Sequence, residues 1–184
     1  PRVEAYGTVD ELNTALGTLS TLSSAYNGVV YIHDETSGAR GPGDGSGIRL
    51  KNAETTPNLT DVNGQPKGFA VVSNNALYVQ GDYNTAEITD ASGTRTNPAA
   101  LMADAVTLLS EGWNDDNATG TIEVRRAVPE GTSTSMTINS AILTGNTPSS
   151  ATPPVNSGGV QNLVRLMEDW SGYRIAIKGS MGQL

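Results

Sequence analysis

"GFAVVSNNALYVQGDYN", residues 68–84, decides the reading of this chain. Residues 69–72 are apolar and rich in Val, Ser73-Asn74-Asn75 is small and polar, and residues 77–79 are apolar again with Tyr between Leu and Val. The pattern is strand, tight polar corner, strand. Repeated units of this kind build a right-handed parallel β-helix, because each coil turns where a residue tolerates left-handed backbone angles. Asparagines at such corners can stack into ladders from one coil to the next.

Outward from this stretch, similar segments recur. "NGVVYIHD" (27–34), "GIRLKNA" (47–53), "GTIEVRRA" (120–127), "SMTINSAILTGN" (135–146) and "YRIAIKGSM" (173–181) are short, rich in β-formers and bounded by Gly or Asn. Their spacing is irregular, so a strict-period solenoid is not expected. Three other segments have helical patterning. In 8–24, Thr8 and Glu11 form a capping box, and Val9, Leu12, Leu16 and Leu19 make an apolar stripe. In 97–113, Asn97 reads as an N-cap and Pro98 as the first helical residue, with Leu101, Ala105, Leu108, Leu109 and Trp113 on the apolar face. In 158–172, Val160, Leu163, Val164, Met167 and Trp170 share a face, and Gly172 suits the end. The expected fold is therefore mainly β, with parallel β-helix or solenoid-like strands, an N-terminal helix and two packed helices near 98–113 and 160–171. Residues 1–26 form an N-terminal helical segment, and 27–184 form the β-solenoid-like domain. The polar, Gly/Pro-rich stretches 35–46, 54–67, 85–97 and 147–157 are expected as surface loops.

Composition narrows the function. The 184 residues suffice for a sizeable core. Charged residues are 16% and aromatics 5%, while Gly is abundant at 21, which favours turns and short strands over charged helices. The net charge of −8, with no basic run longer than Arg125-Arg126, argues against nucleic acid or an anionic membrane as partner. The absence of cysteine removes disulfides, thiolate metal sites and Cys nucleophiles. The chain reads as a fragment or processed piece, with any signal or membrane anchor outside it.

Few residues suggest chemistry. His33, the single histidine, stands beside Asp34 and Glu35. Neighbours on a strand point to opposite faces, so it is expected at a solvated strand end rather than in a catalytic pair. Asp115, Asn117 and Thr119 in "NDDNATG" resemble the front half of a calcium loop, which makes calcium the one cofactor to consider. The twelfth loop position falls on Arg126, a cation, and a polar turn after Trp113 explains the same residues. Asp61, Asp82, Asp90 and Asp104 raise a carbohydrate-cleaving alternative, since glycosidases use paired carboxylates. No two of them stand at a telling spacing on one strand, and no P-loop or Ser-His-Asp pattern stands out.

Two family resemblances follow from these residues. "YNGVVYIHD", "GIRLKNA", "GFAVVSNNALYVQGDYNT", "NPAALMADAVTLLSEGWND", "TINSAILTGNTPS" and "SGGVQNLVRLMEDWSGYRIAIKGSM", in that order, resemble the C-terminal β-rich region of the PilX-like, type IV pilus-associated bacterial envelope proteins over about residues 26–181. The resemblance implies a structural domain of the cell envelope or surface. Its roles would be assembly, filament formation or adhesion, with self-association or other envelope and pilus proteins as partners. It carries no catalytic residues. Separately, Arg2, Tyr6-Gly7 and Asp10-Glu11-Leu12-Asn13 resemble the nucleotide-binding segment of the PduO-type ATP:cob(I)alamin adenosyltransferases over about residues 2–17. That likeness implies ATP binding within a helical bundle, at odds with strand after strand from residue 28 onward.

Overall fold

The computed structural model describes residues 27–32, 47–90, 93–114, 126–129, 131, 133, 135–145, 150–151, 154–155 and 163–183. Among these the chain is mainly β and no residue is helical. The strands are β1 (Val29–Ile32), β2 (Ile48–Ala53), β3 (Phe69–Ser73), β4 (Leu77–Tyr83), β5 (Ile88–Asp90), β6 (Gly93–Arg95), β7 (Ala99–Ala103), β8 (Val106–Leu109) and β9 (Arg126–Ala127). They continue as β10 (Ser135–Ile138), β11 (Ala141–Thr144), β12 (Ser150–Ala151), β13 (Pro154–Val155), β14 (Val164–Leu166), β15 (Glu168–Asp169), β16 (Arg174–Ile177) and β17 (Met181–Gln183).

Two curled parallel sheets carry the fold. One has the order β1-β3-β7-β11-β17. The other runs β14-β8-β4-β10-β16, with β2 also on β4. Every pairing within both sheets is parallel. β9 and β15 form a separate parallel pair, while β5–β6 and β12–β13 are short antiparallel pairs.

The register explains the core. Along β3 burial alternates, with Phe69, Val71 and Ser73 inward, as a one-sided strand requires. Because the pairing is in register, inward residues stack into columns. Val30, Val71, Leu101 and Ile142 form one buried column, while Met181, the register partner of Ile142 on β17, is exposed. Leu50, Val79, Leu108 and Leu166 form a second. Ala53, Tyr83, Ile138 and Ile177 form a third. All three columns belong to one apolar cluster. Each fully buried Leu, Ile or Val side chain contributes roughly 1.5–3 kcal/mol.

The corners have specific backbone chemistry. Asn52 and Asn84 adopt left-handed angles (φ 52° and 56°). Asn is among the few non-glycine residues that tolerate this region. Gly28 (φ 85°) sits under Gly68, and a Cβ there would run into the Gly68 carbonyl oxygen. The corner at Ser73-Asn74-Asn75 holds as expected, with the Asn75 N–H donating to Ser73 Oγ at 3.0 Å. The left-handed asparagines, however, are 52 and 84 rather than 74 and 75.

Two expected helices are corrected. Residues 97–113 contain β7 and β8 instead of a helix. Leu101 and Ala103 point inward from β7, and Val106 and Leu108 sit in the core from β8. Parallel neighbours claim the backbone: β3 and β11 flank β7, while β4 and β14 flank β8. At the turn between them, Leu77 donates its N–H to the Ala105 carbonyl and Gly145 donates to that of Asp104. Asn97 caps nothing; its Nδ2 reaches Thr56 Oγ1 and the Pro57 carbonyl at 3.3 and 3.2 Å. Within 158–172, the described residues form β14 and β15. Met167, expected on a buried helix face, is 41% exposed, and Glu168 is buried in its place. Period 2 has replaced period 3.6. The expected N-terminal helix of 8–24 lies outside the described residues.

Candidate functional site

An open groove of about 670 Å³ crosses the ends of several neighbouring strands. Its walls take Asp82 from β4, Thr137 from β10, Thr96 and Pro98 from the approach to β7, and Lys178 and Gly179 from the turn after β16. Glu87 enters from the segment after β4. The register brings these distant residues together: β10 pairs with both β4 and β16, and β11 with β7.

A buried amide cluster lies beneath the groove. Asn84 Nδ2 donates to the carbonyls of Asn97 (2.7 Å) and Asn139 (2.8 Å). Asn139 Nδ2 donates back to the Asn84 carbonyl at 3.0 Å. Asn84 Oδ1 accepts from the Thr56 hydroxyl at 2.7 Å. Asn97 and Asn139 both line the groove, but the Oδ1 of each is closed off from solvent and has no hydrogen-bond partner among the described residues. The nitrogens of both amides are committed, so what they leave unmet is acceptor capacity.

Asp82 is anchored as well. Its Oδ1 accepts the Thr137 N–H at 2.7 Å, which fixes the carboxylate against β10. Beyond Asp82 lies a smaller hollow of about 180 Å³, bounded also by Glu54, Glu111, Ser135 and Trp170. The Trp170 indole N–H is buried without a partner among the described residues, and its ring meets Tyr173 edge-on at 6.3 Å.

Of the carboxylates singled out from sequence, only Asp82 lines the groove. Asp61 instead organises a turn: its Oδ1 accepts the N–H groups of Gln65 and Asn63, each at 2.8 Å. The Gln65 N–H foremost, and then that of Asn63, holds the Asp61 carboxyl below the ordinary aspartate range. Asp104 lies in the turn between β7 and β8, and Asp90 ends β5. His33, Asp34 and Glu35, and the calcium-loop residues Asp115, Asn117 and Thr119, lie outside the described residues, as do Arg2 and Asp10. Among the described residues no group of three or more His, Asp or Glu side chains could hold a metal ion. Among the described residues there is no helix long and apolar enough to cross a membrane, a statement that does not bear on β-barrels.

Sequence reading missed Glu87, Lys178, Asn139 and Glu168. Glu168 is 1% exposed, and its two oxygens take the Ser110 N–H and Ser110 hydroxyl, both at 2.6 Å. Only Glu168 carried a usable signal, the every-second-residue spacing Val164, Leu166, Glu168. No family model, curated protein or solved structure matches the chain.

Proposed function

We propose that the chain is a β-solenoid domain with a structural role at the bacterial cell surface or in a pilus-associated assembly, and that it acts by associating with further copies of itself. The solenoid reading rests on the pairing pattern. Assigning three strand positions per coil accounts for every pairing in the two large parallel sheets, with β1, β3, β7, β11 and β17 in one position.

One observation carries the association. The outer face of the five-stranded sheet is apolar in two rows at right angles to the strands. Tyr31, Val72, Met102 and Leu143 are in register along one row. Val29, Ala70, Ala100 and Ala141 form the other. Val29 and Tyr31 are 43% and 58% exposed, and the other six residues are half-buried. A contiguous apolar face on a chain of net charge −8 is suited to contact between copies, because the charge discourages indiscriminate sticking while the face supplies the attraction.

Sedimentation velocity across a range of concentrations tests this reading. Association that rises with concentration and is lost in Val72→Glu and Met102→Glu, with the far-ultraviolet β signature retained, is the expected result. A monomer at every concentration, or association indifferent to both substitutions, overturns it. Covering of the face by the chain's own residues 8–24 would register as a monomer that starts to associate when they are deleted.

A further inference from the structure

We propose that Asn63 is a site of spontaneous covalent modification, at which the folded chain converts its own asparagine to aspartate and isoaspartate. The sequence holds two Asn-Gly pairs, Asn27-Gly28 and Asn63-Gly64. An Asn-Gly pair is prone to this reaction because glycine has no side chain to keep its backbone nitrogen away from the preceding amide. The nitrogen of Gly64, having lost its proton to a base in solution, attacks Cγ of Asn63. A cyclic imide closes and ammonia leaves. Water then opens the ring. Addition at Cγ gives aspartate, and addition at the backbone carbonyl carbon gives isoaspartate, with the main chain rerouted through Cβ. The sum is asparagine plus water going to a carboxylic acid plus ammonia, with one negative charge gained.

The fold treats the two pairs differently. Gly28 is buried, and its carbonyl accepts the Ala70 N–H at 2.8 Å. A Cβ there would run into the Gly68 carbonyl oxygen, so its backbone is packed against the neighbouring coil. The Asn27 side chain is engaged as well, its Oδ1 accepting the Val29 N–H at 3.1 Å. For the Gly28 nitrogen to swing onto Asn27 Cγ, the start of β1 must leave β3. That opening breaks into a core sheet and is costly.

Asn63-Gly64 stands at the tip of a turn closed by the bridge between Thr60 and Pro66. Val62 is 86% exposed, and Asn63, Gly64 and Gln65 are exposed. Nothing lies within 4 Å of a Cβ built on Gly64. The bonds that hold the tip centre on Asp61. Its carbonyl accepts the Gly64 N–H at 3.0 Å, its N–H donates to the Gln65 carbonyl at 2.8 Å, and its carboxylate accepts the Asn63 and Gln65 N–H groups. Opening the tip frees the Gly64 nitrogen without moving a core strand, a low-cost local event of the kind exposed loop tips undergo. Asp61 is therefore a positioning residue, a latch that slows the reaction without blocking it. The modification is independent of self-association.

Peptide mapping by mass spectrometry tests the proposal. The whole chain is incubated in warm, mildly alkaline buffer, folded and in concentrated urea, and isoaspartate is counted with an isoaspartyl methyltransferase. In the folded chain Asn63 should convert at least about tenfold faster than Asn27, and in urea the two should convert at similar rates. Asp61→Ala should speed conversion at Asn63 about threefold or more and leave Asn27 unchanged. Gly64→Ala should slow it at Asn63 alone. The proposal is overturned by Asn27 converting as fast as Asn63 in the folded chain, or by Asn63 staying intact there while the chain in urea converts. An Asp61→Ala variant with Asn63 unaccelerated, or with both sites accelerated alike, overturns the latch.

Discussion

Asn84 and Asn139 bind each other reciprocally across two parallel strands. The amide of each donates to the backbone carbonyl of the other, at 2.8 and 3.0 Å, and the Asn139 N–H adds a bond to the neighbouring Tyr83 carbonyl at 3.0 Å. Asn84 also holds the left-handed corner after β4. One residue type meets both needs: a short amide that reaches the next strand and a backbone that accepts positive φ.

Asn84→Ala is therefore expected to cost about 3 kcal/mol or more. Alanine keeps a Cβ in the left-handed region, at roughly 1–2 kcal/mol, and takes away the donor to the Asn97 and Asn139 carbonyls and the acceptor for the Thr56 hydroxyl. Asn84→Gly removes the first penalty and retains the second, so it should fall between wild type and alanine. Urea unfolding midpoints separate the three proteins. Equal midpoints for Ala and Gly would show that backbone conformation is not part of the corner's role.

Tyr83 gives an alkaline signature. Its ring is fully buried, and its hydroxyl has no hydrogen bond among the described residues. Burial raises the phenol pKa well above the ordinary value of about 10. A raised folded pKa contributes stability that is complete below the unfolded value. That stability declines as pH rises past about 10, where the unfolded chain gives up its proton first. Tyr83→Phe should flatten the loss of stability above pH 10. At neutral pH it should be neutral or mildly stabilising, because it removes an orphan polar group. Thermal melts from about pH 7 to 11 follow both effects.

Glu168 and Ser110 should behave as a unit. Glu168→Ala strands the Ser110 N–H and hydroxyl in the core, a loss of about 3 kcal/mol or more. Ser110→Ala removes one of the two bonds and should cost less. In a double-mutant cycle the pair should show coupling above about 0.5 kcal/mol. Additive effects would mean that Glu168 stabilises chiefly by filling space.

Two glycines with similar backbone angles should respond differently to alanine. Gly28 (φ 85°) would drive a Cβ into the Gly68 carbonyl, whereas Gly64 (φ 75°) faces open space. Gly64→Ala should cost only the left-handed conformational penalty of roughly 1–2 kcal/mol. Gly28→Ala should cost visibly more, because β1 must shift relative to β3. Chemical denaturation of the two variants compares them directly.

Residues 68–84 made the strand–corner–strand unit legible because two apolar runs flank a short polar stretch and Asn and Gly mark its ends. Residues 97–113 misled because Leu101 and Leu108 satisfy helical and strand spacing at once, and Asn97-Pro98 imitates a helix start. The deciding force was non-local: neighbours on both sides offered parallel partners for the backbone. Asp82 was legible as a carboxylate ending a strand. Its companions Glu87 and Lys178 were not, because stacking brings them together and no local motif records stacking.

The in-register columns have a mechanical consequence. In each ladder the inter-strand hydrogen bonds run along the stacking direction, from β1 through β3, β7 and β11 to β17. A pull along that axis loads the bonds one strand at a time, so an edge strand peels away while the next stays seated. A pull along the strands loads all the bonds of a pair together in shear. The same chain should therefore yield at low force in the first direction and resist strongly in the second.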